Sequence, residues 1–511
     1  MMNSTQHIQN TKKKNIDGPS SNYWIIIISA LSAFFISSMD VGGVIPEITP
    51  FIVKEFHPNA GLITLLGSIS TMAMVSIMIA SGCLGNKFGP RKILMAGAFL
   101  AIVSDIGAFL FSSNVEILIF FRGLVGLGAG LSSPMIPAVI MLSSPIEEHP
   151  KAFGIFMAAT SITGAIRSPI IQLINTRFGW RAVFLLVAIL NGICLLLICL
   201  NIPKQKKKIN ASIDLTGILL SGFGFFGIIV GTSFSSSLGF SHPVSFCPLV
   251  LGVFILLLLI NYSKKKLNPA VQISLFKNKI FAFSMLFGHF LYSAEGIIYF
   301  ITIYGLTAGG INPLKMSTYG LTLAISEMFA GLIAGQIAKR ISKNLIISLS
   351  GILISIGLIL LSTQFKTDMD WTILYLSAFC IGFGFSSANS RRMSIALKSV
   401  PGNITSSGSS LDRACSWSGV PLAISITSAI YPLISKKYFS NIIRPVFNKV
   451  QTIENWNIIP LDSTIVPYWA SAWGKGIGSV LLIIAVIIFI LACCSFFIYR
   501  KTEGDSGASL S

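Results

Sequence analysis

The sequence predicts an all-α polytopic membrane protein of about fourteen spanning helices, laid out as two six-helix bundles with two linking helices between them. Three observations carry that expectation. Of 511 residues, 53% are hydrophobic and only 11% charged, and the mean hydropathy is +0.79. A soluble chain of this length needs charged surface, whereas lipid covers the outside of a membrane protein. The apolar residues come in runs of about 20, the length that crosses a bilayer. Between the runs lie short clusters of lysine and arginine.

The polar stretch 1–22 carries Lys12, Lys13 and Lys14 and is expected as a cytoplasmic tail. No strong cleavage signal follows, and the run from Tyr23, "YWIIIISALSAFFISSM", is long enough to remain as the first span. Six spans are expected at roughly 23–45, 60–81, 93–112, 115–142, 152–174 and 182–202, two at 213–233 and 246–262, and six at 280–306, 314–337, 344–364, 371–390, 408–434 and 473–499. The expected units are an N-terminal bundle over 23–202, a linking region over 203–279, a C-terminal bundle over 280–500 and a cytoplasmic tail over 501–511. The 435–472 stretch, with Pro445, Pro460 and Pro467, is the one long external connection.

Lysine and arginine set the orientation. With the N-terminus cytoplasmic, "KQKKK" after the sixth span, "SKKK" after the eighth, "AKR" after the tenth and "RR" after the twelfth all fall inside. An even span count puts the C-terminus inside too. "GCLGNKFGPRK" after the second span is echoed by "GQIAKRISKN" after the tenth, with Gly82 matching Gly335 and Lys87 matching Arg340. Two like halves are the plan of transporters that rock around a central site.

The net charge of +19 raises nucleic acid as a partner. The basic residues are spread between apolar runs rather than gathered on one face, which argues against it. The eight cysteines show no CxxC spacing, and Cys194, Cys199, Cys493 and Cys494 lie within apolar runs, as small hydrophobes do. No spacing suggests a metal site, a phosphate loop or a catalytic triad, so neither cofactor nor enzymatic activity is expected.

The stretch "GCLGNKFGPRKILMAG" resembles the signature between the second and third helices of the major facilitator superfamily, with Gly82, Leu84, Lys87, Gly89, Arg91 and Lys92 in place and Asn86 where the family usually has aspartate. "LIFFRGLVGLGAG" resembles its fourth-helix signature at Leu118, Arg122, Gly126, Gly128 and Ala129. "FGWRAVF" at 178–184, Asp214 with Gly217, and "LNPAVQISLFKNKIF" at 267–281 are similar to entries of the sixth, seventh and ninth helices in the fourteen-helix drug/proton antiporter branch. Two stretches depart from that branch. The fifth helix reads "GAIRSPIIQL", keeping Pro169 but losing the paired glycines and gaining Arg167. After Asp40 stand Gly42 and an early Pro46 instead of the usual threonine and later proline.

Charged side chains inside a bilayer cost about 2.5–3.5 kcal/mol on insertion scales and need a reason. The acidic candidates are Asp40, Asp105, Glu295, Glu327 and Asp412; the basic ones are Arg122, Arg167 and Arg413. At 100° per residue Ser29, Ser32, Ser37, Asp40 and Gly43 form a polar stripe, expected to face the bundle interior. A carboxylate held from water can carry a proton. Arg122, on one helix face with Gly126, Ala129 and Ser133, is its expected partner. The resemblance implies that Asp40 and Arg122 take part in proton coupling; the alternative is an ion pair that only fixes helix packing.

Glu295 lies between Tyr292 and Tyr299 at helical spacing, which suits an organic cation. Glu327 shares a face with Ala324, Gly331, Ala334 and Ala338, the pattern of a tight helix crossing. Arg413 has Asp412 as a local counter-charge. These residues, with Arg167, are the expected substrate cavity. His289 is expected to be a hydrogen-bonded interior histidine. In the family the loop of Gly82, Asn86, Lys87, Gly89 and Arg91 stabilises one rocking state, and with Asn86 uncharged its charge network must be rebuilt.

The sequence thus implies a monomeric, multi-pass cell-membrane transporter with both termini cytoplasmic, exporting a small amphipathic compound, drug-like or metabolite, against protons. The alternative is a carrier of an anionic metabolite such as a siderophore or organic acid, motivated by Arg122, Arg167 and Arg413.

Overall fold

The computed structural model describes residues 23–58, 60–204, 214–238, 241–266, 269–311, 313–337, 342–443 and 464–507. The N-terminal tail, the basic cluster beyond Lys204, Arg340 and Ala338, and residues 444–463 lie outside the described residues, as do the side chains of Ser37, Tyr299 and Ala334. The described residues form helices and contain no strand.

Fourteen helical units follow one another among the described residues. Helix α1 consists of Tyr23–Met39, a π-turn at Asp40–Val44, and Ile45–Phe56. Then come α2 (Ala60–Phe88), α3 (Pro90–Phe111), α4 (Val115–Ser132 with Met135–Ser143), α5 (His149–Phe178) and α6 (Arg181–Asn201). The linking pair is α7 (Leu215–Leu238) and α8 (Pro243–Lys265). The chain closes with α9 (Lys279–Thr307), α10 (Pro313–Ile337), α11 (Lys343–Ser362), α12 (Trp371–Lys398), α13 (Thr405–Trp417 with Gly419–Ile443) and α14 (Val466–Gly507).

Punctuation follows local chemistry. Asn114 accepts the Ile117 N–H at the start of α4, Asn278 caps α9, and Asp370 caps α12. Gly89, at φ 89°, takes the left-handed region between α2 and α3, and Pro90 begins α3 where its missing N–H costs nothing.

Several ends differ from expectation. Helix α1 continues past residue 45, because the π-turn lets the chain absorb Pro46 without stopping. Helix α12 runs to Lys398, so Arg391 and Arg392 are not cytoplasmic loop residues: both are buried inside the helix. The apolar window ends near residue 390, but helical hydrogen bonding does not depend on hydropathy. Helix α14 continues through Gly507, so 501–507 extend it rather than form a separate tail.

Two large cores correspond to the two halves. One gathers Ile27, Leu118, Phe153 and Val187 from α1–α6, the other Phe287, Leu358, Trp473 and Leu481 from α9–α14. A third, with Met78, Ile229, Met285 and Ala414, lies where α7 rests on α2 and α13. Gly227 and Gly231 of α7 meet the backbone of α8 so closely that a Cβ would collide, which makes the linking pair a tight hairpin. In α8 only 17% of the apolar window is buried, against 78% in α4, so α8 is peripheral and α4 central. Outward faces carry Leu200, Phe178, Phe223 and Phe254, as lipid contact requires.

Candidate functional site

The charged residues inside the helices gather in three places. The first is within the N-terminal half. Pro46 brings no N–H to the helical ladder of α1, and the backbone slips into the π-turn that begins at Asp40. The extra residue of a π-turn rotates the helix face. The expected single polar stripe therefore splits. Ser29 receives a hydrogen bond from Asn201 and Ser32 donates to the Cys194 sulfur, so both face α6. Asp40 faces α4. There Arg122 donates through Nη1 to Asp40 Oδ1 at 2.5 Å and through Nη2 to the Asp40 carbonyl at 2.7 Å. Glycines bring Arg122 inward: a Cβ at Gly126 or Gly130 would overlap carbonyl oxygens of α2, and one at Gly128 would meet Gly97 of α3. Asp105 of α3 completes the cluster. Its Oδ1 lies 3.9 Å from Arg122 Nη1, and its Oδ2 accepts from Asn191 of α6 at 3.3 Å. Asp40 is 1% exposed, and Arg122 and Asp105 0%.

The second place is in the C-terminal half. Arg392 donates to Asp412 Oδ1 at 2.5 Å, to Asn389 and to the Ser284 carbonyl. Both charges of the pair are fully buried. Gly288 leaves room for the guanidinium, since a Cβ there would sit 2.7 Å from Arg392 Cζ. Asp412 therefore has its partner on α12 rather than in adjacent Arg413. Arg413 bonds the Tyr292 hydroxyl at 3.0 Å and Ser133 of α4 at 3.1 Å, and lies over the Trp417 ring. The Tyr292 hydroxyl also accepts from Asn389. His289 contacts the Cys415 carbonyl and Ser418, as an interior histidine should.

The third place lies between the halves. Glu295 of α9 is solvent-exposed although Tyr292, Ala294, Gly296 and Ile297 around it are buried. The charges it feels are Arg413 and, from the opposite half, Arg167 on α5. Arg167 in turn feels Glu47 and Glu295. Glu327 of α10 accepts from Ser161 of α5 at 2.7 Å. Gly331 sits on the Gly154 carbonyl, so α10 crosses tightly onto α5 at that glycine. Glu295 and Arg167 act on one another across the two halves, and Glu327 feels Glu295, so charges of both signs influence this region.

One end of that space is sealed. Asn86 donates to Ser407 at 2.6 Å, Ser409 donates to the Pro134 carbonyl at 2.6 Å, and Gly82 and Gly85 lie against Ser410 and Ser406. The neutral amide of Asn86 makes its contact to the other half without a charge. Arg91 donates to the Cys199 carbonyl at 2.6 Å, tying the α2–α3 turn to the end of α6, and Lys87 lies over Phe88.

Sequence reasoning named Asp105 but gave it no partner, and it missed Arg392 with its partners Asn389 and Ser284. The signal for Arg392 was present in "SRRMS": serines on both sides of two arginines in a helix of alternating small residues read as a loop only because hydropathy falls there.

The sequence model of the family described as Major Facilitator Superfamily matches residues 30–424. The chain is 25% identical over 284 residues to the Major facilitator superfamily multidrug transporter mfsC of Aspergillus fumigatus, spanning 55% of this chain and 54%, about half, of that protein. It is 26% identical to the multidrug transporter protein MdtP of Bacillus subtilis, over 73% of this chain and 68% of that one. It is 23% identical to the putative multidrug resistance protein MdtD of Escherichia coli O45:K1, over 83% and 89%. Among solved structures, the proton:xylose symporter XylE bound to 6-bromo-6-deoxy-D-glucose aligns with TM-score 0.57 at 14% identity, covering 92% of this chain and 96% of that one, which is a likeness of fold. With the fold, the paired halves and the family match in agreement, the chain belongs to the major facilitator superfamily, as a multi-pass membrane transporter and not an enzyme.

Proposed function

We propose that the protein exports a small amphipathic compound, coupled to protons, by alternating access, as a monomer in the cell membrane with both termini cytoplasmic. The observation that carries the coupling is the Asp40–Arg122 pair: a carboxylate and a guanidinium at 1% and 0% exposure, at the one irregular turn of α1. Ionisable groups in such a place mark proton or substrate paths in transporters. Relatives named as multidrug transporters support the export reading. In the proposed orientation, the seal of Asn86, Ser409 and Arg413 is cytoplasmic, and the space around Glu295 faces outward.

The space between the halves offers a cation a binding side at Glu295 and Glu327. A carrier of anions is the second reading, and the observation favouring it is Arg167, a half-buried guanidinium within reach of the charges of Glu47 and Glu295. Flux in proteoliposomes with an imposed pH gradient and a compound panel tests both. Wild type should drive accumulation, and Asp40→Asn should abolish uphill flux while the protein stays folded. Wild-type flux in Asp40→Asn would refute coupling through this residue. If cations are carried, Glu295→Gln weakens binding of a lipophilic cationic dye and Arg167→Gln leaves it nearly intact; the reverse pattern with anionic compounds would establish the second reading.

A further inference from the structure

The N-terminal charge cluster contains two carboxylates and one guanidinium, and these cannot all be charged without leaving a net negative charge deep in a bundle. Asp40, Arg122 and Asp105 are each at most 1% exposed. Arg122 is engaged by Asp40 through both terminal nitrogens, at 2.5 and 2.7 Å, and is 3.9 Å from Asp105. Asp105 Oδ2 has one donor, the Asn191 amide, while buried Oδ1 receives none. The Asp40 and Asp105 carboxyls reach the same Arg122 Nη1, at 2.5 and 3.9 Å, and neither has a hydrogen to give while both are ionised. A buried carboxyl oxygen left without a donor, next to a second acid on the same guanidinium, is satisfied when one of the two acids carries a proton. Around Asp105, α1 offers Asp40, α4 offers Arg122, and α6 offers Asn191 and the Phe184 ring, 5.9 Å from the guanidinium.

We infer that Asp40 and Asp105 hold one proton between them around Arg122, making Asp105 a second proton-holding residue of the coupling site. With the proton on Asp105, the cluster is neutral: Asp40 is negative, Arg122 positive and Asp105 uncharged. When Arg122 turns from Asp40 to Asp105, the Asp105 O–H bond breaks and an O–H bond forms on Asp40. The guanidinium then neutralises Asp105, and the total charge is unchanged. Asp40, on the irregular turn of α1, passes the proton to water. The inference rests on the proton-coupled reading only for its use; the shared proton itself is a property of the resting protein.

Infrared difference spectroscopy of the purified full chain in proteoliposomes, between neutral and alkaline pH, reads the carbonyl stretch of protonated carboxyl groups without any substrate. Wild type should show one carbonyl band that is lost in both Asp105→Asn and Asp40→Asn, because either change leaves a single carboxylate facing Arg122 with no need of a proton. Asp105→Glu should keep a band at a shifted frequency, which separates loss of the proton from loss of the fold. A full wild-type set of bands in Asp105→Asn would overturn the inference, and so would a band lost in one of the two asparagine variants alone. If the bands behave as expected and wild type still shows no gradient-driven flux, the coupled-transport reading falls and the shared proton stands.

Discussion

Removing one side of the Arg392–Asp412 pair strands the other where no water reaches it. Both side chains are fully buried, and the guanidinium is further held by Asn389 and the Ser284 carbonyl. Breaking a buried pair by deleting one partner costs about 3–5 kcal/mol, because the remaining charge stays buried uncompensated. Asp412→Asn should therefore lower the thermal unfolding midpoint markedly, and pairing it with Arg392→Gln should recover part of the loss. Scanning fluorimetry in detergent checks this. Equal midpoints for Asp412→Asn and wild type would mean that the pair is solvated in the working protein. Arg413 is a different case, since it bonds Ser133 of the other half and should respond to the rocking state as well as to stability.

At the level of elements, Asp214 ties three pieces of chain together at the membrane edge. It precedes α7 and accepts from Ala270 N–H, the Tyr262 hydroxyl, Gly217 N–H and Lys266. Burial alone would raise its pKa, but these bonds outweigh it and hold the carboxyl below its ordinary value. A group whose folded value lies below its unfolded one contributes stability that is present above the unfolded value, about 3.9 for aspartate, and is lost as pH falls through the folded value. Asp214→Asn should lower the unfolding midpoint at neutral pH, and the gap to wild type should close as the pH falls below about 4. A gap that persists in acid would show that the carboxylate's charge is not what holds the linking helices. Glu55 follows the same rule at the other edge, where the hydrogen bond from Arg181 keeps its pKa low.

For the whole molecule, the decisive contacts are those between halves. Asn86 with Ser407 and Ser409 with Pro134 close one end, while Glu295 remains accessible. A protein that rocks must break them in every cycle. In a cysteine-free background, Asn86→Cys with Ser407→Cys should cross-link on oxidation, reduce flux to background and recover it with reductant. Full flux in the cross-linked protein would show that this end does not open. The same background checks orientation: a single cysteine at Lys265 should react with an impermeant label from the cytoplasmic side only.

Much was written in the sequence itself. Spans of apolar residues fixed α-helical membrane architecture, because backbone polar groups in lipid must be satisfied within the segment. Glycine spacing around Arg122 marked α4 for close helix approach, and the charged residues within spans singled out Asp40, Arg122, Glu295 and Arg413 as candidates. What the sequence could not decide was which charge meets which. Asp412 looks toward its neighbour Arg413 along the chain but pairs with Arg392, 20 residues before it. Asp105 gains its meaning only because α3, α4 and α6 converge on Arg122. The polar stripe of α1 fails at Asp40 because a π-turn adds a residue that a constant angular step does not count. Hydropathy and periodicity are sums over one helix; a buried charge is settled by the nearest opposite charge in space, and only the packing of helices supplies that distance.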